Sequence, residues 1–331
     1  MTRSHLNGWI ILDKPSGLSS AHAVGMVKRL LKPHAGGKLK IGHAGTLDPL
    51  ASGVLPLALG EATKTVGYMM DGAKAYEFTV QWGSATDTDD SEGQVTRTSD
   101  KRPSDKEINN ILQHFIGELD QMPPQYSALK VDGKRAYALA RDGKKADLKP
   151  RKIYIERLEV VEGKNGKASR PSEPSLSTEA LAKGEACPMA NSGECAGGIQ
   201  KTTFLCHCGK GTYIRSLARD MGEQLGCYGH ITMLRRTKVG KFTENHAFSL
   251  DLLTEMVHKG DLSFLLAVES ALDDIPALEI APSQATDLQQ GRSLPWPGTS
   301  HEVALARSGG TAVALCRVAD GQMKPVRVFN L

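Results

Sequence analysis

The sequence predicts an α+β fold that ends in a small β-barrel. Three observations support this prediction. Residues 74–82 alternate apolar and polar side chains, as a half-buried strand does. Helical patterns with apolar stripes occur at about 20–31, 105–117 and 214–226. After Ile275-Pro276 the pattern changes to short apolar strands, which indicates a small appended barrel.

Turn and cap residues divide the first half of the chain into elements. Proline and glycine mark the turns, and a serine followed three residues later by glutamate marks a helix start. The predicted elements are, in order, a buried strand at 8–14, a helix from Ser19 or Ser20 to about Leu31, a loop at 33–40, a glycine-rich stretch at 42–56 in which Asp48 has a loop-like setting, a helix starting near Glu61, a strand at 74–82, a solvated acidic loop at 86–94 and a helix opened by Ser104–Glu107.

The second half alternates short strands with helices around one low-complexity segment. Residues 163–200 contain no aromatic side chain and are rich in Gly, Ser, Glu, Ala and Lys, which predicts a disordered insertion at a hairpin tip. The other predicted elements are a hairpin around Asp132-Gly133 followed by a short helix, strands at 153–161, 202–208 and 230–242, a helix ended by Gly226, a helical pattern at 251–272, a short helix at 283–290 and strands at 303–307, 311–318 and 324–330. We therefore expect a main domain at 1–272 and a barrel domain at 273–331.

Composition excludes some classes of protein. The chain has 331 residues and a net charge of +4, which permits a nucleic-acid partner without requiring one. It has no apolar run of membrane-spanning length and no signal-peptide pattern, so the cytoplasm is the expected location. The six cysteines form no C-x-x-C pair, and Cys206-His207-Cys208 has the pattern of a strand. We expect no metal site.

One acid, Asp48, has unusual surroundings. Asp-Pro is a common turn dipeptide, so a turn role is the plain interpretation. The flanking residues are apolar and glycine-rich, however, and a desolvated carboxylate there needs a cationic partner such as Arg215. A lone carboxylate with an arginine suits attack on a sugar carbon, or proton transfer at one. It does not match the paired carboxylates of most glycosidases.

Aromatic and basic residues suggest contact with RNA. Tyr76 and Tyr213 are either ordinary core residues or rings that stack on a base, and His43 is either a solvated loop histidine or an RNA contact. Basic residues gather at 28–40, 141–152 and 235–241, on solvated faces or on surfaces that hold a polyanion.

Motifs then connect these residues to a family. Five occur in order, namely Asp13–Ser20 (DKPSGLSS), Gly42–Pro56 (GHAGTLDPLASGVLP), Pro123–Lys130 (PPQYSALK), Lys210–Arg215 (KGTYIR) and Leu234–Arg236 (LRR). Together they resemble the bacterial tRNA pseudouridine-55 synthase family over about residues 8–250. The resemblance implies the pseudouridine synthase fold, with a mixed, largely antiparallel central sheet flanked by helices. It also implies that residues 273–331 are a PUA-like RNA-binding domain.

The resemblance also implies a reaction, the conversion of uridine 55 in the tRNA T-loop to pseudouridine. Asp48, Tyr76 and Arg215 match the catalytic set. The substrate-binding residues it implies are His43, Tyr76, Tyr213, Leu234, Lys14, Lys130 and Lys210. No cofactor is implied. The expected partner is the T-stem-loop of tRNA, bound by a monomer without an obligate protein partner.

Two other functions stay open at this point. A non-catalytic RNA-binding or RNA-folding protein would keep the basic segments and could dispense with Asp48. A glycosidase or nucleosidase would use Asp48 with a second acid that activates water. The sequence offers no such acid, because Asp87, Asp89 and Asp90 are predicted to lie in an exposed loop.

Overall fold

The computed structural model describes residues 6–127, 129–131, 134–137, 146–161, 166–167 and 198–331. The chain divides into two units. The first comprises Met1–Glu77, His207–Lys210 and Leu234–Leu331, and the second comprises Phe78–Cys206 and Gly211–Met233.

The described chain contains both helices and strands, and several strands follow one another without an intervening helix, as in an α+β fold. The strands are β1 (Gly8–Lys14), β2 (Ile41–His43), β3 (Ser52–Leu59), β4 (Lys74–Trp82), β5 (Ser84–Thr86), β6 (Val95–Thr98), β7 (Gly117–Gln121), β8 (Lys130–Val131), β9 (Lys134–Arg135), β10 (Arg151–Val160), β11 (Gly166–Lys167), β12 (Ile199–Cys208), β13 (Gly229–Val239), β14 (Phe242–Thr243), β15 (Ala277–Glu279), β16 (Leu294–Pro295), β17 (His301–Ser308), β18 (Thr311–Ala319) and β19 (Gln322–Val328). The helices are α1 (Ser20–Leu31), α2 (Val66–Asp71), α3 (Asp105–Leu112), α4 (Ile214–Gln224), α5 (Leu250–His258) and α6 (Pro282–Gln289).

In the first unit, β3 lies between neighbouring strands. It pairs antiparallel with β1 and β2, and in parallel with β13, where Arg235 is opposite Ser52. Residues 53–59 of this strand are all buried, which explains its nearly continuous apolar sequence. The loop setting predicted for Asp48 is confirmed, whereas strands β2 and β3 on either side of it were not predicted. An apolar run without alternation, interrupted by Pro56, carries no period-2 signal.

Helix α1 of the first unit begins where its serine cap predicts. The Ser19 side chain accepts a hydrogen bond from the His22 N–H (3.2 Å) at the start of α1. The buried stripe of α1 contains Ala23 where the apolar pattern predicts Val24. The predicted helix near Glu61 is a 3-10 turn at Gly60–Lys64 followed by α2, and α5 ends at His258 although the helical pattern extends to 272.

The second unit contains a sheet in the order β13-β4-β12-β10-β7. Its core includes Phe78, Trp82 and Phe204, with the two phenylalanine rings stacked at 5.3 Å between centroids. The strands predicted at 74–82, 153–161 and 202–208 are confirmed as β4, β10 and β12.

Two loop predictions in this unit have different outcomes. The hairpin around Asp132-Gly133 is confirmed by the β8–β9 pairing. Residues 198–200 and β11 (166–167), which the sequence assigns to the disordered insertion, are ordered, and β11 pairs with β12. The rest of the predicted insertion, and the basic residues at 141–145, lie outside the described residues.

The C-terminal residues form a five-stranded sheet in the order β15-β17-β18-β19-β16. Its only parallel pair in the described chain is β15 with β17, and α6 packs on it through Ala285 and Leu288. Leu305, Leu315 and Phe329 also share a core cluster with Trp9 and Val239 of the same unit. The strand order is open, with β15 and β16 at its ends, so a closed PUA-like barrel stays a prediction. The α+β class with a mixed sheet is confirmed.

Candidate active site

Asp48 lies in the loop between β2 and β3, where neighbouring residues are tied to an earlier part of the chain. The Leu47 N–H donates to Ser20 Oγ (2.8 Å), and the same hydroxyl donates to the Leu47 carbonyl (2.9 Å). The Pro49 carbonyl accepts from the Gly17 N–H (2.8 Å). The backbone on both sides of Asp48 is therefore held in place. Asp48 itself is half-buried.

Lys14 supports this loop from inside the protein. Its side chain is fully buried, and Nζ donates to the carbonyls of Pro15 (2.8 Å), Leu18 (2.5 Å) and Pro49 (3.4 Å). A buried ammonium group needs such partners, because transferring a charged group from water to the protein interior without them costs on the order of several kcal/mol. The contacts of Lys14 are those of a support for the loop.

Arg236 holds the start of the loop and the strand that follows it. Its guanidinium is buried and donates to the carbonyls of Val54 (2.8 Å) and Gly45 (3.1 Å). Gly53 has φ +100°, and a Cβ there would be 2.2 Å from the Arg236 carbonyl oxygen. Glycine is required at this position both by its dihedral angle and by the approach of the neighbouring strand. These two residues explain part of the fixed shape of the motif.

The other predicted site residues of the first unit lie on its strands or at their ends. Tyr76 in β4 and Leu234 in β13 are buried, whereas His43 in β2 is half-buried and opposite Leu57. Lys210 is exposed and pairs with Asp71, with Nζ 3.0 Å from Oδ1. Tyr76 and Leu234 are thus shielded from solvent.

The backbone before Tyr76 is fixed by a second buried lysine. Lys74 Nζ donates to the carbonyls of Met70 and Gly72, at 2.6 Å each. Burial, and next the guanidinium of Arg236, lower the pKa of Lys74 to about 8. This buried lysine was not predicted from the sequence, because a lysine at the start of a strand is usually solvated.

In the second unit, Tyr213 is the residue before α4, and Gln121 holds its backbone. The Tyr213 N–H donates to Gln121 Oε1 (2.8 Å), and Gln121 Nε2 donates to the Tyr213 carbonyl (3.0 Å). Gln121 is itself buried at the end of β7. One amide side chain therefore satisfies both backbone groups of Tyr213, as a neighbouring strand would.

Arg215, in the first turn of α4, is buried within a set of acceptors. Its Nη1 donates to the Thr88 carbonyl (2.8 Å) and lies 3.5 Å from Asp90 Oδ2, while Nη2 donates to the Tyr126 carbonyl (2.8 Å). Asp90 is buried as well. The prediction of a solvated loop at 86–94 holds for the exposed Asp87, Ser91, Glu92 and Gln94, but it is wrong for Asp90.

A second arginine of the same helix, Arg219, forms its own ion pairs. Its Nη1 lies 3.2 Å from Asp89 Oδ2, and it also contacts Asp220 and the Met122 carbonyl. Burial raises the pKa of Asp89 to about 6, although the positive charges of Arg219 and Arg215 oppose the shift. Asp89 was also predicted to be exposed, and that prediction is wrong. The sequence feature that indicated a shared environment for Arg215 and Arg219 is their spacing of four residues, which places both side chains on one face of the helix.

The predicted site residues are distributed over both units. Lys14, His43, Asp48, Tyr76, Lys210 and Leu234 belong to the first, and Lys130, Tyr213 and Arg215 belong to the second. Lys130 pairs with Arg135 through its backbone, and its side chain lies outside what is described. The pairing of Asp48 with Arg215 joins residues of different units and stays a prediction.

Two features are absent from the residues that the structure describes. No group of three or more His, Cys, Asp and Glu side chains in that part of the chain is arranged to hold a metal ion. None of the helices in the same part combines the length and apolar character needed to span a membrane.

Comparison with known proteins gives matches over almost the whole chain. A model of the TruB family pseudouridylate synthase N-terminal domain matches residues 28–174. Models of the tRNA pseudouridylate synthase B C-terminal domain and of the tRNA pseudouridine synthase II C-terminal region match 215–273 and 275–330.

Two relatives of similar length are both named tRNA pseudouridine synthase B. A tRNA pseudouridine synthase B from Caulobacter sp. (strain K31) is 45% identical over 338 residues, covering 98% of this chain and 97% of the relative. Another, from Bradyrhizobium diazoefficiens, is 44% identical over 339 residues, covering 99% and 87%.

Solved structures share the fold. A chain from an H/ACA RNP bound to a substrate RNA containing 2'-deoxyuridine superposes with a TM-score of 0.66 at 21% identity, covering 99% of this chain and 86% of that one. A chain from a Cbf5-Nop10-Gar1 complex gives 0.64 at 23%, covering 99% and 85%.

Proposed function

The chain belongs to the TruB family of pseudouridylate synthases and is a tRNA pseudouridine synthase, and from this premise we propose that it isomerises uridine 55 in the T-loop of tRNA. The proposal rests above all on the loop that carries Asp48. Backbone groups on both sides of this residue are bound by Ser20 and Gly17, so a half-buried carboxylate has a defined position. A fixed position is what a group acting at a single ribose carbon needs.

The reaction has a simple balance. The N1–C1′ bond of the uridine breaks, the uracil turns, and C5 bonds to C1′ while the C5 proton leaves and N1 takes up a proton. Nothing is oxidised or reduced, so no cofactor is needed. Asp48 acts at the ribose of a uridine turned out of the RNA stack. Its step is either attack on C1′ or removal of a proton from C2′.

Other residues take the roles that the family resemblance implies. Tyr76 stacks on the base and helps to remove the C5 proton, and Arg215 pairs with Asp48. Leu234 and Tyr213 line the uracil pocket, where apolar walls keep water from intercepting the sugar.

The remaining proposals concern RNA binding and organisation. His43 fills the space left by the displaced bases, while Lys14 and Lys130 support the site and Lys210 faces the RNA. The T-stem-loop of tRNA is the partner of a cytoplasmic monomer that needs no other protein. Residues 1–272 form the catalytic domain, interrupted by the insertion at 163–200. Residues 273–331 form a PUA-like domain that also binds RNA.

The test uses T-stem-loop RNA labelled with tritium at uridine C5. Tritium release is followed for the parent, for Asp48→Asn and for Asp100→Asn, a control at an exposed aspartate. The product is then mapped. We expect release and pseudouridine at position 55 for the parent and the control, and none for Asp48→Asn, which should still bind the RNA.

Three results would overturn the proposal in different ways. RNA binding without release by the parent would favour an RNA-binding protein, and free uracil in place of pseudouridine would favour a nucleosidase. Full turnover by Asp48→Asn would remove Asp48 from the chemistry and leave it as a turn residue.

A further inference from the structure

We propose that Ser20 is a positioning residue for Asp48, acting through the backbone of Leu47. The inference rests on the proposed function, because it assumes that the Asp48 carboxylate does the chemistry. Ser20 does not contact the reacting atoms in this scheme. It determines where the neighbouring carboxylate is held.

The geometry that supports the proposal is a pair of hydrogen bonds on one hydroxyl. Ser20 Oγ accepts from the Leu47 N–H at 2.8 Å and donates to the Leu47 carbonyl at 2.9 Å. The Ser20 residue is only 2% exposed, and Leu47 is buried beside it. Because Leu47 immediately precedes Asp48, any shift of its peptide groups moves the Cα atom of Asp48.

The hydroxyl group is well matched to this task. A serine hydroxyl has one proton to donate and lone pairs that accept, so it satisfies both backbone groups of one residue. Without it, the N–H and the carbonyl of Leu47 lose their buried hydrogen-bond partner, which is unfavourable in free energy. The loop would recover that energy by moving toward water, which displaces Asp48.

On the other side of Asp48, the loop has different anchors. The Pro49 carbonyl is bound by the Gly17 N–H, and the Leu50 carbonyl accepts from Ser16 Oγ (2.8 Å). These bonds keep the loop folded when Ser20 is replaced. We therefore expect a misplaced carboxylate on an otherwise intact protein.

The adjacent serine supplies a matched control. Ser19 caps α1 by accepting from the His22 N–H, whereas Ser20 is the first residue of the helix and its hydroxyl points to Leu47. The two positions thus separate helix stability from loop position. Ser19→Ala should lower the melting temperature and leave the chemistry alone.

The experiment compares single-turnover rates of the full chain on tritiated T-stem-loop RNA for the parent, Ser20→Ala, Ser19→Ala and Asp48→Asn. The RNA dissociation constant and the melting temperature are measured for each. For Ser20→Ala we expect a rate about 10- to 100-fold lower, as displacement by roughly 1 Å produces. The RNA dissociation constant should match that of the parent. Amide exchange at Leu47 should become faster in this variant, and Ser20→Thr should restore most of the rate.

A parent-like rate for folded Ser20→Ala would overturn the inference, and so would an equal loss of rate in Ser19→Ala. If Ser20→Ala does not fold, Ser20→Cys is judged by the same criteria, since it fills the space with only a weak donor and acceptor. The two proposals fail separately. An active Asp48→Asn removes Asp48 from the proposed chemistry, whereas an inactive Asp48→Asn beside a parent-like Ser20→Ala removes only the positioning role.

Discussion

The buried pair of Arg215 and Asp90 gives a prediction about stability that needs no substrate. Replacing Asp90 with asparagine keeps the shape and an acceptor oxygen but removes the negative charge beside the guanidinium. Nη1 and Oδ2 are 3.5 Å apart, and the two side chains are 5% and 4% exposed. Two unit charges at this distance attract by about 5 kcal/mol at an effective dielectric constant near 20.

The net effect of the change should be somewhat smaller. Breaking a buried pair from one side typically costs about 3–5 kcal/mol, because the remaining charge stays buried. In Asp90→Asn, Arg215 would still donate to the carbonyls of Thr88 and Tyr126. We therefore expect the free energy of unfolding to fall by about 3–5 kcal/mol, a large part of the ~5–15 kcal/mol of a typical domain.

Urea unfolding at neutral pH measures this loss, with the exposed Asp100→Asn as a control that should change little. A double-mutant cycle with Arg215→Met isolates the pair and should give a coupling of about 0.5–3 kcal/mol. A loss below about 1 kcal/mol in Asp90→Asn, or a coupling near zero, would refute the view that this ion pair stabilises the unit.

Three further changes test other parts of the structure. The pKa of Asp89 is about 6 in the fold against 3.8 when unperturbed, so the folded chain binds the extra proton between these values and its stability falls as the pH rises. Urea unfolding at about pH 4 and pH 7 should show the stability of Asp89→Asn, measured relative to the parent, rising by about 2 kcal/mol between the two pH values. A pH-independent difference would contradict this. Gln121→Leu should slow single-turnover conversion by about 10-fold or more, because it removes both hydrogen bonds to the Tyr213 backbone. Gln121→Glu should be slowed less, because it keeps the acceptor for the Tyr213 N–H. A parent-like rate for Gln121→Leu would exclude a positioning role for Gln121. Gly53→Ala should lower the melting temperature strongly, because Gly53 has a φ of +100°. Gly25→Ala, in open space within α1, should raise the free energy of unfolding by about 0.5–1 kcal/mol. An unchanged melting temperature in Gly53→Ala would mean that the backbone at this position is not constrained.

The parts of the fold that local signals determine were predictable from the sequence. The cap at Ser19, the capping box at Ser104–Glu107 and the alternation in β4 each depend on residues within a few positions of one another. These elements appear where the sequence places them. Strand β3 was missed, because a strand buried on both faces shows no alternation.

Residues of the site could be predicted only where a side chain has unusual neighbours in the sequence. Asp48 attracted attention because a carboxylate beside apolar and glycine residues needs an explanation. Asp89 and Asp90 did not, since neighbouring acids usually lie in solvent, and their partners Arg215 and Arg219 are more than a hundred positions away. Ser20 was considered only as a helix cap, because no local pattern shows that a hydroxyl binds a distant loop.

The parallel pairing of β13 with β3 has a consequence for the order of events during synthesis. The bonds from Lys14, Gly17 and Ser20 to the Asp48 loop span about 30 positions, so they can form as soon as that segment leaves the ribosome. Arg236 reaches Val54 and Gly45 from over 180 positions later in the chain. We expect the nascent protein to form the Asp48 loop early but to complete its contacts only after nearly three quarters of the chain has been translated. The pairing of β13 with β3 should then be the slow step of folding, because it joins distant parts of the chain.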